Sequence, residues 1–340
     1  MSDITLIEDT THGTITDALT NSVIEASEKC TWAGSVWEKL EAQGLTQPSA
    51  IAEDPAEAFE IEAAIIRASA ATAVPLPVAE TALAGWILAQ HKIEAPAGPL
   101  TIAGLNDADK LSYSGGQVSG SVERVPWGRD TKAIVTIAGN TLVLLDAKAA
   151  QITHGMNMAN EPRDTLSFAA AKPLAVGGTV EREALLARGA AVRAVQLAAA
   201  AARVLELTVE YAGQRKQFGK PIGGFQAIQH QLAAAASEVA AARVAAQQAY
   251  RALASDKNVL LASAIAKSRA NDAAGAVARM AHQVHGAIGY TQEYQLHRFT
   301  RRIQSWRGEF GASAYWNRRI GELVLADSRG TLWEVVSGVA

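Results

Sequence analysis

The sequence predicts a mostly helical protein interrupted by a small β domain, and three observations carry that expectation. Hydrophobic residues make up 49% of the chain but aromatics only 6%, the excess being alanine. That favours closely packed helices, because alanine loses no side-chain entropy in a helix. From Val180 to the C-terminus the only proline is Pro221, so long helices can run there unbroken. Between about 98 and 178 the apolar pattern changes to short runs bounded by glycine, proline and asparagine, the signature of strands. At 340 residues the chain holds a large core and two or three domains. The expected divisions are 1–97, helical; 98–178, antiparallel β; and 179–340, a helical bundle.

In the first region, Val36-Trp37-Glu38-Lys39-Leu40 and residues 56–70 return apolar side chains every three or four positions. Val74-Pro75-Leu76-Pro77-Val78 breaks that pattern, which resumes over 79–90 with Trp86 as a core residue. In the second region, 133–138 and 141–145 flank Gly139-Asn140, a two-residue hairpin turn. Short strands are also expected around 111–120 and 165–168, and Asn160-Glu161-Pro162-Arg163-Asp164 reads as a polar turn. In the third, 181–211, 222–254 and 258–285 read as long alanine-rich helices. Their small side chains permit the close approach a four-helix bundle needs, and their length suggests oligomeric packing.

Net charge is −3 with no long basic run, which argues against nucleic acid and anionic membrane as partners. Any phosphate site must be a local arrangement. Cys30 is the single cysteine, so no intrachain disulfide forms and a reducing compartment is expected. The first thirty residues lack a basic start followed by an apolar run, and no segment of membrane-spanning length is free of charges. A cytoplasmic protein is expected.

The stretch YAGQRKQFGKPIGGFQAIQH, from Tyr211 to His230, links the first two long helices. Pro221 suits the first turn of a helix, and the glycines beside it allow a sharp corner. Arg215 brings a fixed, forked cation suited to a phosphate, while Gln217 and Gln226 add uncharged amides between Phe218 and Phe225. The order R-x-Q-F-G-x-P-I-x-x-F-Q resembles the most recognisable motif of the acyl-CoA dehydrogenase family. The resemblance implies FAD, with Arg215 on its pyrophosphate across a subunit boundary and Phe218 near its adenosine part. Gln217, Ile222, Phe225 and Gln226 are implied beside them. A second family motif follows at Gln283–Tyr290, QVHGAIGY, where members usually carry Q-x-x-G-G-x-G-Y. It implies Gln283 and Gly286 at the cofactor's phosphates, with Ala287 replacing a glycine. The family covers one flavin face with an aromatic residue of the β domain. Trp127 in VPWGR is the candidate, a few residues late by a strict count, and a hydrophobic corner of the β domain is its plain structural reading. The resemblance spans roughly 98–310.

The reaction so implied removes two hydrogens from an acyl-CoA thioester. A carboxylate takes the α proton, and a hydride leaves the β carbon for the flavin. Most members place that carboxylate after a basic segment that here reads RRIQSWRGEFGA, residues 301–312. Counting without a gap puts Phe310 at its position and Glu309 one residue early, about 100° away on a helix. Other members place the base in the helix before the arginine motif, where counting lands on Gly189, with Glu183 six residues earlier. Three alternatives stay open: Glu309 as base, Glu183 as base, and no base in this chain. Glu309 also has a plain structural reading, a salt bridge with Arg301, Arg302 or Arg307.

The short N-terminal region, Ala287 and the displaced glutamate resemble short acyl-CoA dehydrogenase subunits that pair with a longer homologue as an α2β2 assembly. The partners implied are an acyl-CoA of fatty-acid or sterol side-chain β-oxidation, a homotetramer or α2β2 heterotetramer, and an electron-transfer flavoprotein. No metal is expected, because His282 and His285, three apart on one helix, have no third ligand at a known spacing.

Overall fold

The structure, a computed structural model, describes residues 3–48, 54–105, 109–326, 331, 333 and 334. Those residues are mostly helical with small sheets, the class expected. They fall into two compact units, Met1–Leu186 and Ala187–Ala340.

Among the described residues the first unit opens with α1 (Asp3–Ala18), α2 (Asn21–Ser27), α3 (Gly34–Ala42), α4 (Pro55–Thr72) and α5 (Val78–Gln90). Asp54 caps α4 by accepting the Ala56 N–H at 3.1 Å, and left-handed Ala73 (φ 53°) closes its other end. Ile15, Val36, Trp37, Leu40, Ile61 and Ile65 form a shared helical core.

Eight strands follow among the described residues: β1 (Leu100–Ala103), β2 (Lys110–Ser114), β3 (Gln117–Pro126), β4 (Ala133–Ala138), β5 (Thr141–Asp146), β6 (Gln151–Thr153), β7 (Arg163–Ala171) and β8 (Ala175–Thr179). They make two sheets, ordered β1-β4-β5-β8 and β2-β3-β7-β6. Val118, Val122 and Leu166 of one sheet share a core with Ile134, Val143 and Leu145 of the other. The β4–β5 hairpin is as expected, with Ala138 opposite Thr141 and Gly139 at φ 64°, the first position of a type II′ turn. The all-antiparallel expectation needs one correction. β1 runs parallel to β4, because the intervening β2 and β3 leave to build the second sheet and serve as the crossover.

Helix α6 (Arg182–Gln214) runs from the first unit into the second, which adds α7 (Gln226–Ser255), α8 (Val259–His285), α9 (Leu296–Trp306) and α10 (Ser313–Ala326). On α7 the buried residues Ala235, Val239, Ala242, Ala246 and Ala249 recur every three or four positions, and this stripe packs on α8. The α7–α8 link uses Asp256 and Asn258 at φ 52° and 51°, a conformation their short polar side chains tolerate. Fully buried Trp316 anchors α10, its indole N–H donating to the Phe310 carbonyl at 2.9 Å. By length and composition α6 could cross a membrane, but 89% of its apolar window is buried inside the protein. It is a core helix.

The α6–α7 link departs from the expected corner. Residues 216–221 form a two-stranded hairpin, β9 (Lys216–Gln217) and β10 (Lys220–Pro221), turning at Phe218 (φ 50°) and Gly219 (φ 79°). Two successive left-handed residues make this a type I′ turn. Pro221 therefore lies at a strand edge, where its fixed φ also fits, and not in the first turn of a helix. A 3₁₀ turn at Ile222–Gly224 follows, so α7 begins at Gln226 and not at Ile222.

Candidate functional site

The hairpin that replaces the corner is exposed along its length. The Arg215 N–H continues α6 by donating to Tyr211 O at 2.8 Å, while its carbonyl accepts the Ile222 N–H at 2.8 Å. Its side chain makes no hydrogen bond or ion pair among the described residues. Phe218, at the tip, is 93% exposed and meets Phe225 edge-on at 6.2 Å. Lys220 Nζ lies 4.3 Å from the Phe225 ring and donates to Gly224 O. The Gln217 amide donates to Lys216 O, and Gln226 is exposed at the start of α7. Ile222 is half-buried beneath them. Between Tyr211 and His230 there are three lysines or arginines and no carboxylate.

The second motif turns at the same end of the bundle. The Tyr211 hydroxyl donates to His285 O at 3.4 Å, which ties the end of α6 to the end of α8. Gly286 ends α8 at φ 64°, ψ −143°, and a 3₁₀ turn carries the chain to Tyr290. Only glycine reaches that backbone state without strain. Gln283 lines an open groove of about 410 Å³ between α7 and α8, with His230, Gln231, Arg279 and Met280. Both motifs thus frame one end of the second unit.

The histidines of the second motif are packed against tyrosines. His285 is buried and stacks on Tyr211 at 4.4 Å, with Tyr294 tilted beside it at 5.0 Å. His282 stacks under Tyr290 at 4.2 Å and shares a hydrogen bond with the Thr300 hydroxyl at 3.0 Å. Burial lowers the pKa of both rings, and for His282 the neighbouring His285 and His297 lower it further. Among the described residues no three histidine, cysteine or acidic side chains come together to hold a metal.

The structure settles what surrounds the base positions. Glu309 makes an ion pair that its plain structural reading did not name. Its carboxylate accepts from Arg193 of α6, at 2.6 Å from Nη2 and 3.0 Å from Nε. The Arg193 side chain is almost fully buried, also donates to Gln196, and lies 5.4 Å from the Phe310 ring centre and 6.0 Å from that of Trp306. One oxygen of the carboxylate, Oε2, is thus tied to a buried cation. Phe310 turns its ring onto Gly189, so closely that a Cβ at 189 would fall 2.1 Å from the ring edge. The two places counted as base positions therefore meet in space, filled by a phenyl ring and a glycine. Sequence reasoning missed Arg193, although a charge inside an alanine run four residues past Gly189 was a usable signal. It also missed Lys267, which is fully buried and holds the end of α9. Its ammonium donates to Asn271 Oδ1 (2.7 Å), Arg307 O (3.0 Å) and Trp306 O (3.3 Å). Lys267 shares a four-residue stripe with Ser263 and Asn271, both also buried.

In the first unit, Trp127 is 4% exposed, left-handed at φ 56°, and packed edge-on against Trp32 at 6.2 Å. Its backbone N–H donates to Pro162 O at 3.0 Å. The ring is thus a core group of its own unit. Glu183 lies in the first turn of α6, half-buried, where a carboxylate complements the helix N-terminus.

The residues at the bundle end fit a dinucleotide's diphosphate. They offer an uncommitted guanidinium, two lysines, a glutamine-lined groove and the first N–H groups of α7, which no side chain caps. Residues 177–325 match the C-terminal domain of acyl-CoA dehydrogenases. The acyl-CoA dehydrogenase FadE34 of Mycobacterium tuberculosis is 34% identical over 291 residues, 82% of this chain and 40% of its own length. The acyl-CoA dehydrogenase IpdE2 of Mycolicibacterium smegmatis is 32% identical over 169 residues, 50% of this chain and 51% of its own. The chain therefore spans about half or less of these curated relatives. A chain of the ChsE4-ChsE5 complex of Mycobacterium tuberculosis has the same fold, with a TM-score of 0.85, 21% identity, and coverage of 96% of this chain and 98% of that one. Through its helical bundle, the chain belongs to the acyl-CoA dehydrogenase family.

Proposed function

We propose that the chain is one subunit of an FAD-dependent enzyme that dehydrogenates an acyl-CoA thioester between its α and β carbons, as half of an α2β2 heterotetramer. A longer homologue completes the assembly and carries the base. The reading rests on one observation above others: Phe310 packs on Gly189 while Arg193 holds Glu309. Neither base position offers a free carboxylate, yet the Arg215 hairpin and the Gly286 turn keep the chemistry of a diphosphate site. Arg215, Gln217, Phe218, Ile222, Phe225, Gln226, Gln283 and Gly286 would hold FAD, which supplies the hydride acceptor when bound. Arg215 neutralises phosphate charge, Phe218 offers an apolar face to the adenosine part, and the glutamines donate hydrogen bonds. Trp127 acts by shaping the wall of its own domain. The heteromeric ChsE4-ChsE5 complex shares the fold, and FadE34 and IpdE2 share the family name, which supports the substrate class. The same reading keeps the three-domain division, a cytoplasmic location, an electron-transfer flavoprotein as acceptor, and fatty-acid or sterol side-chain β-oxidation as the setting.

Two preparations test it, the full chain alone and the chain co-expressed with a longer homologue. Alone, the chain is expected to be colourless. Co-expressed, it should be yellow and should bleach with acyl-CoA, and Glu309→Gln should leave bleaching within about twofold, since removal of a true general base costs 10²-fold or more. A yellow homomeric chain that acyl-CoA bleaches, and that Glu309→Gln silences, would instead establish an active homomer with Glu309 as base.

A further inference from the structure

We propose that His282 and His285 are positioning residues that join the two phosphate-facing elements only while both rings are neutral, so that acid loosens the flavin corner. The inference rests on the flavin reading above, and one of its readouts does not.

A backbone carbonyl fixes the tautomer of His285. Its Nδ1 lies 2.8 Å from Ala281 O, a carbonyl, so Nδ1 carries the hydrogen and Nε2 is a bare acceptor. Nε2 is buried and has no hydrogen-bond partner among the described residues, as is also true of His282 Nδ1. The ring is 4% exposed and enclosed by Tyr211 and Tyr294. A proton added at Nε2 would place a charge where nothing accepts its hydrogen bond. His282 has a matching constraint, because Gly289 packs against its Nδ1: a Cβ at 289 would lie 3.2 Å away.

The groups facing the pair come from every neighbouring element: Tyr211 from α6, Tyr290 from the 3₁₀ turn, Tyr294 from the following link, and His297 and Thr300 on the α9 side. No carboxylate acts on either ring among the described residues, so nothing offsets a new positive charge. The stack is also the mechanical joint of the site. Tyr211 stands four residues before Arg215 on the last turn of α6, and Tyr290 closes the turn that starts at Gly286. Charging the rings loosens Tyr211 and Tyr290 together, and with them both elements that would meet the diphosphate.

The sign follows from linkage. A histidine whose folded pKa lies below its ordinary 6.5 contributes stability that is complete above pH 6.5 and is lost as pH falls through the folded value. Flavin release from the yellow complex is read by the rise of free-flavin fluorescence between pH 7.5 and 5. Release is expected to be about tenfold faster at pH 5 than at pH 7, because a ring charged in acid no longer holds the joint. In His282→Gln/His285→Phe, which keeps a flat ring at 285, the acceleration should fall below about twofold. The thermal midpoint of the full chain without flavin, followed by circular dichroism, should show the same contrast between wild type and variant. Equal acid sensitivity in the double variant, or a flat wild-type profile in both readouts, would overturn the joint. Absence of flavin from every preparation would overturn the functional reading and leave the midpoint contrast as the test of the joint.

Discussion

Lys267 shows how much one side chain can cost and still be kept. Burial, followed by the nearby Arg193, lowers its pKa to about 7, with Arg307 acting the same way and Glu309 opposing. The unfolded chain therefore binds more protons than the folded one between about pH 7 and 10.5. This group's stabilisation is largest above 10.5, declines as pH falls, and is gone below about 7. Relative to a Lys267→Met variant, wild-type stability in urea should rise from pH 7 to 9.5; a constant difference would contradict the assignment. Gly189 makes a second test at this scale. Gly189→Ala drives a methyl into the Phe310 ring and should destabilise the chain by roughly 1–3 kcal/mol in urea denaturation. Gly189 and Phe310 were each found by counting along the sequence from a motif. That the two touch was not legible, because a count along the chain does not say which helix faces which.

At the scale of elements, the long helices were readable to within a few residues from alanine content and spacing. The link between α6 and α7 was not. Two-residue strands carry no period, and a type I′ turn is usually announced by Asn-Gly or Gly-Gly, whereas this one is Phe-Gly. Phe218 thus combines a left-handed backbone with a ring left in water, two costs with no gain inside its own unit. Phe218→Asn should raise the thermal midpoint slightly, since asparagine suits the turn, while weakening flavin retention by about an order of magnitude, read by dialysis against dilute flavin. Unchanged retention would leave the exposed ring without a ligand.

Over the whole molecule, the sequence conveyed the order helices, β domain, bundle, because composition and period change together at each passage. It did not convey the parallel β1–β4 pair, since pairing partners far apart in sequence leave no local mark. At one end of the second unit Phe218 and Tyr290 are 93% and 72% exposed, beside Arg215. Tyr290→Asp with Phe218→Asp should shift the co-expressed assembly toward smaller species in sedimentation velocity, while helical content stays the same.

The phenyl ring lodged on Gly189 also bears on how such a chain can change over generations. A carboxylate restored at 189 collides with the ring, and one restored at 310 arrives beside a guanidinium already claimed by Glu309. On the reading proposed above, neither single substitution restores proton abstraction, which then needs several positions to change together. On that reading the packing works as a ratchet, tying the chain to a relative that performs the chemistry.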